Sequence, residues 1–212
     1  IFTILSDSIY IRKSEKSFNS DIGIPLTILG CQNGWSDPII WIKNILIGIE
    51  LILFKSNYPK CLVLEVGADH PGDIESISKW LKTDIVVITK IGEVPVHIEA
   101  FPTVSDLIKE KAYLIKSLKT DGVLILSADD KEVRELSKDV KNKIISYGIK
   151  QISTVNASDS SVFYDEDKKP KGMMFKLNIQ GNSIPMKVEK ILGIQQIYPI
   201  IAGIAVGTTF NI

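Results

Sequence analysis

Cysteine and histidine are the scarce residues of this chain, two of each in 212. Cys31 and Cys61 lie 30 positions apart in or beside apolar runs, without the close spacing of a zinc site or the density of a disulfide scaffold. They read as two buried thiols in a reducing cytosol. A dominant charge is missing as well. Lys and Arg total 25 and Asp and Glu total 25, so no overall field holds a nucleic-acid backbone or an anionic membrane. The first residues lack the basic, apolar and small-residue order of a signal peptide. No nearly uncharged run reaches the roughly 20 residues of a membrane span. The candidate is residues 38–54, and Lys43, Asn44 and Glu50 interrupt it. Ser36 or Asp37 as N-cap and Pro38 at the first helical position give this stretch the start signal of a soluble helix. It is expected to lie buried between the sheet and a neighbour, with peripheral membrane contact as the alternative.

What is present describes an ordinary globular chain. At 45% hydrophobic and 24% charged residues, it can bury a full core in one domain. It opens without an initiator Met on Ile1-Phe-Thr-Ile-Leu5, which reads as the last turns of a helix already under way and suggests a fragment. Residues 8–12 form a short strand and 13–23 a polar loop. From Cys61 the pattern alternates: strand 61–66, helix 73–81, strand 84–89, helix 104–118, strand 122–127, helix 130–138, strand 143–147. Strand, helix, strand at this spacing means right-handed crossovers and a doubly wound, mostly parallel α/β sheet, with its active edge at the carboxyl ends. Residues 162–164, 172–179 and 183–188 then read as strands joined by polar turns, a small antiparallel sheet near the C-terminus within residues 150–190. A last apolar helix covers 197–206.

Three groups able to gather around metal-bound phosphates sit at loop or helix positions: Glu65 at a strand end, His97 in the segment after the next strand, and Lys111 on the following helix. Taken singly, each has a plain reading. Glu65 is then a solvated carboxylate, His97 a surface or core-edge imidazole, and Lys111, between Glu110 and Ala112, part of a solvated helix face. His70 reads as a surface residue. Asp129 and Asp130 follow a strand, where capping the next helix is the better reading than a nucleotide contact.

Several stretches together carry a resemblance. Asn19-Ser-Asp-Ile-Gly-Ile-Pro-Leu-Thr-Ile-Leu29, Glu65-Val-Gly-Ala-Asp-His-Pro-Gly-Asp-Ile74, Thr89-Lys-Ile-Gly, His97-Ile-Glu99, Lys109-Glu-Lys111 and Ser127-Ala-Asp-Asp130 follow one another in the order of the Mur ligase central domain. The match covers nearly all of the chain, and the 14 positions between His97 and Lys111 also fit that family. The resemblance implies a P-loop NTPase-like domain of a cytoplasmic, monomeric ATP-dependent ligase of cell-wall precursor synthesis. The implied cofactors are ATP and Mg2+, and the implied partners a UDP-N-acetylmuramoyl peptide and D-alanyl-D-alanine. Glu65 and His97 match its magnesium ligands, and Lys111 a lysine that reacts with carbon dioxide to become a carbamate; these three are the implied catalytic set. Gln196 is the implied nucleotide contact.

The departures are specific. A Gly-rich loop ending in Gly-Lys-Thr or Gly-Lys-Ser, expected just before Ile1, does not occur in the 212 residues, and neither does the family's carboxy-terminal domain, so the chain alone is expected not to catalyse. Lys90 and Ser127 stand where the family usually has Asn, and the stretch 193–199 replaces one containing His and Asn. Two other functions therefore remain open: another Mur or folylpolyglutamate-type amide ligase, or a non-catalytic module that retains the fold.

Overall fold

The structure is a computed structural model, and it describes residues 1–15, 18–54, 57–91 and 98–212. In chain order the elements are α1 (Phe2–Leu5), β1 (Ile11–Lys13), α2 (Gly23–Leu29), α3 (Pro38–Leu53), β2 (Cys61–Val63), α4 (Asp73–Trp80), β3 (Thr83–Ile88), α5 (Val104–Lys116), β4 (Leu118–Ser127), α6 (Lys131–Leu136), β5 (Lys143–Gly148), β6 (Val155–Tyr164), β7 (Pro170–Ile179), β8 (Asn182–Glu189) and α7 (Ile197–Thr209). Six strands form one sheet in the order β3-β4-β5-β6-β7-β8. The pairs from β3 to β6 are parallel, and β6-β7 and β7-β8 are antiparallel. The antiparallel strands expected near the C-terminus thus continue the main sheet. β1 and β2 pair in parallel with each other.

Alternation along the strands sorts the core into two faces, as side chains of successive strand residues must point oppositely. Ile85, Val87, Ile125 and Ile145 pack with α1 and α7, through Leu5, Ile197, Ile201 and Ala205. Val86, Ile88, Leu124 and Leu126 pack on the other face with Leu114 and Ile115 of α5 and Val133 of α6. Cys61 and Val63 of β2 join the first cluster. Leu64 and Val66, just past β2, pack with Ile24 and Ile28 of α2 and Ile77 of α4 in a third.

Two expectations need correction or adjustment. The strand from Cys61 ends at Val63 and not at 66, because β1 is three residues long. Past it the ladder gives way to side-chain capping: Ser14 N–H bonds Val63 O at 3.0 Å, and the Ser14 hydroxyl accepts from Glu65 N–H at 3.2 Å. The second concerns α3. Asp37 caps it as expected, its carboxylate accepting from Ile39 N–H at 2.8 Å, but the helix is not buried. Asn44 is its one buried residue, with Nδ2 donating to Gln32 O at 2.8 Å, while Ile39, Ile42, Ile45 and Ile52 are exposed. The physical reason is layering: α2 already covers the stretch just past β2, with Ile24 in one cluster with Leu64 and Val66, and α3 stacks on α2 as an outer layer. Both cysteines are free, Cys31 buried and Cys61 half-buried, and burial raises both thiol pKa values.

Candidate functional site

Acids fix the chain past two strand ends: Glu110 of α5 holds the loop after β2 at the start of α4, and Asp130, past β4, holds Ile91, past β3. After β2, Glu65 is exposed, and its carboxylate makes no hydrogen bond among the described residues. The loop behind it is packed against residue 19. Gly67 N–H donates to Asn19 O at 3.1 Å, and a Cβ at Gly67 would meet Asn19 Nδ2 at 2.8 Å, so a larger residue there would make the Asn19 side chain shift. Gly72, at φ +98, then turns the chain into α4.

Glu110 fixes the start of α4 from across the fold. Its residue is 4% exposed, and its carboxylate accepts from Gly72 N–H at 3.0 Å, Ile74 N–H at 2.7 Å and Glu75 N–H at 3.0 Å. An anion here answers both the orphan N–H groups and the positive end of the helix dipole. Since Glu110 precedes Lys111 on α5, the same contact ties the loop after Glu65 to the helix that carries Lys111. The sequence reading missed this acid because, between two lysines, it has the look of a solvated charge.

α5 begins at Thr103, whose hydroxyl accepts from Asp106 N–H at 3.2 Å and donates to the Asp106 carboxylate at 2.7 Å, a reciprocal cap. Lys111, two turns on, is half-buried and makes no hydrogen bond or ion pair among the described residues. Burial lowers its pKa, and the charge of Asp130 opposes the shift. Asp130 caps α6 as expected, accepting from Glu132 N–H at 3.0 Å and Val133 N–H at 3.2 Å. Its second oxygen accepts from Ile91 N–H at 2.8 Å, which ties the end of β3 to the end of β4. Lys111 therefore lies where these two strands finish.

Asp129 has a different task from its neighbour. It accepts from the N–H groups of Ile149, Lys150 and Gln151 at 2.7 to 3.1 Å and from the Tyr198 hydroxyl at 2.8 Å. Burial pushes its carboxyl up, but these bonds outweigh burial and hold the pKa below the usual value. Tyr198 is pushed well up, by burial and then by Asp129. Tyr147 is pushed up to about 12, by burial first and the charge of Asp130 second. Ser127 Oγ is fully buried at the end of β4 and has no hydrogen-bond partner among the described residues.

The remaining candidates are placed as follows. His97 lies outside the described residues. His70 is exposed, its N–H donating to the Asp73 carboxylate at 2.7 Å. Lys90 is exposed at the end of β3, and Gln196 is exposed in the single turn before α7. Among the described residues no three His, Cys, Asp or Glu side chains converge as a metal centre.

A family model described as Mur ligase middle domain matches residues 43–207. The chain belongs to this family. Among curated relatives of this Mur ligase middle domain is a UDP-N-acetylmuramoyl-tripeptide--D-alanyl-D-alanine ligase of Buchnera aphidicola subsp. Baizongia pistaciae, 26% identical over 93% of the chain and 36% of the relative. The enzyme of the same name from Haemophilus influenzae is 25% identical over 67% of the chain and 25% of its own length. The chain thus spans about a third or less of these relatives. Its fold is shared with MurF from Acinetobacter baumannii at TM-score 0.75 and 19% identity, over 100% of the chain and 39% of that structure. It is shared too with MurF from Thermotoga maritima in complex with ADP, at TM-score 0.73 and 21% identity, over 99% and 41%.

Proposed function

We propose that the chain is the central, nucleotide-binding domain of an ATP-dependent ligase that joins D-alanyl-D-alanine to a UDP-N-acetylmuramoyl tripeptide in the cytoplasm. The observation that carries the reading is the match to ligases of that name across as much as 93% of the chain. The site chemistry supports it. Glu65 offers a hard carboxylate oxygen of the kind magnesium takes, and Lys111 offers an amine whose ammonium form is disfavoured. Glu65, His97 and Lys111, the last as its carbamate, would hold the metal. The chemistry supplied by magnesium held there would be neutralisation of negative charge on the transferred phosphoryl group. The chain's own part is positional: Glu110 sets the loop after Glu65 against α5, and Asp130 aligns the ends of β3 and β4 beside Lys111. Gln196, exposed before α7, is the candidate nucleotide contact, and the working unit is a monomer.

The test is phosphate release by the whole protein with ATP, magnesium and the UDP-N-acetylmuramoyl tripeptide. Release should depend on D-alanyl-D-alanine and leave an amide product. Turnover with glutamate and a folate, or with a shorter muramoyl peptide and a single amino acid, would move the reading to another ligase of the same fold.

A further inference from the structure

The outer helix α3 presents a face that the other described residues leave exposed. At 3.6 residues per turn, Ile39, Ile42, Ile45, Leu46, Ile49 and Ile52 fall within a sector of roughly 140° on the side away from Asn44. All six are exposed, Ile39 at 74% and Ile52 at 84%, and Leu53 falls in the same sector. No polar side chain lies inside the sector; Lys43 and Glu50 stand beyond one border. Exposed aromatic side chains mark the two ends, Trp35 before the helix at 82% and Phe54 after it. Beside the face runs an apolar groove of about 420 Å³ between α2 and α3, lined by Ile28, Leu29, Ile45, Ile49, Ile52 and Tyr58.

We propose that this face of α3 lies on a lipid bilayer, with its aliphatic side chains at the boundary between headgroups and acyl chains, so that the protein is a peripheral membrane protein. Breadth favours lipid over a second copy. Two convex helices meet along a seam narrower than this sector and would leave Ile39 or Ile52 in water, whereas a deformable surface covers the whole face and fills the groove at once. A protein partner would also need polar groups to set its register, and the sector has none. Aromatic residues at both ends of an apolar face suit a membrane–water interface. Charge leans the same way: residues 37–60 contain Lys43, Lys55 and Lys60 against Asp37 and Glu50, a slight positive balance in a chain with no net charge. The helix is too short to cross a bilayer, so it lies in the plane.

Vesicle flotation of the whole protein tests this, with phosphatidylcholine vesicles that contain phosphatidylglycerol. The protein should float with them, and Ile42→Gln, Ile49→Gln and Ile52→Gln together should cut the floated fraction about tenfold or more. Because these side chains are already in water, the triple variant should keep its circular dichroism, its melting temperature and its ATP turnover on soluble substrates. Wild-type protein that stays at the bottom of the gradient overturns the proposal, as does a triple variant that floats equally well. So does a wild-type dimer, seen by sedimentation without vesicle binding, that the triple variant dissociates; the face would then belong to a second copy.

Discussion

Lys111 carries the proposed chemistry through its protonation state. A free lysine has a pKa near 10.4, and burial brings Lys111 below its ordinary value while Asp130 resists the change. The neutral amine that burial favours is the form that adds carbon dioxide. In the whole protein, Lys111→Ala should abolish ligation, with acetate or formate restoring part of the rate by occupying the vacated position. Lys111→Arg should fail without rescue, since guanidinium stays charged and fills the space. A carbamate signal from labelled carbon dioxide, present in wild type and absent from Lys111→Ala by carbon NMR, is the direct check. Ser127 makes the opposite prediction. Its buried hydroxyl has no partner among the described residues, so Ser127→Ala should leave stability unchanged or raise it by about 1 kcal/mol in a urea melt. A clear loss of stability would reveal a bond that the fold alone does not show. Glu65 and Lys111 are candidates through the resemblance of several stretches in register, since each alone reads as a solvated charge. Glu110 was not legible. Its partners are backbone N–H groups 35 to 38 positions away, and no local pattern separates such an acid from a solvated one.

Among the elements, the alternation from β2 to α6 was readable because strand and helix periods differ and two of its three helices have a capping side chain where the pattern changes. Thr103 and Asp130 both act as such caps. α2 was not assigned from sequence: it runs Gly-Ile-Pro-Leu-Thr-Ile-Leu, which has a glycine, a proline and a β-branched threonine in seven residues and therefore weak helix propensity. Tertiary contact of Ile24 with Ile77 and Leu81 decides it. The exposure of α3 was hidden for another reason: composition sets how apolar a helix is, while which layer it occupies depends on what already covers the sheet. Connections between elements give a pH prediction. Asp129 joins the loop after β5 to α7, and its pKa is held below the unfolded value of about 3.9. Its stabilising contribution is therefore complete above that value and is lost as pH falls through the lower folded value. Asp129→Asn should cost about 2 kcal/mol at neutral pH, and thermal melts should show the gap to wild type narrowing toward about pH 3. A gap that stays constant with pH would mean that geometry and not charge sets the cost.

For the whole molecule, the proposed function asks for a group that these residues do not contain. The 212 residues have no Gly-rich loop ending in Gly-Lys-Thr or Gly-Lys-Ser, so on that proposal the backbone cradle for the β and γ phosphates would lie outside them. Titration calorimetry should find little or no ATP binding to this segment and clear binding to the whole protein with magnesium. Tight binding by the segment would relocate the nucleotide site. The sheet has its own internal division. β5 and β6 are joined by two residue pairs, Tyr147 with Val155 and Gly148 with Asn156, whereas β6 and β7 pair along most of ten-residue strands. Beyond Asn156 the β6–β8 ribbon has no strand paired on the β5 side among the described residues, so its amides near the turn at residues 165–169 are shielded chiefly by one another. Deuterium should enter there long before it reaches β4, and the order of exchange would divide one continuous sheet into a slow parallel block and a fast ribbon that opens first.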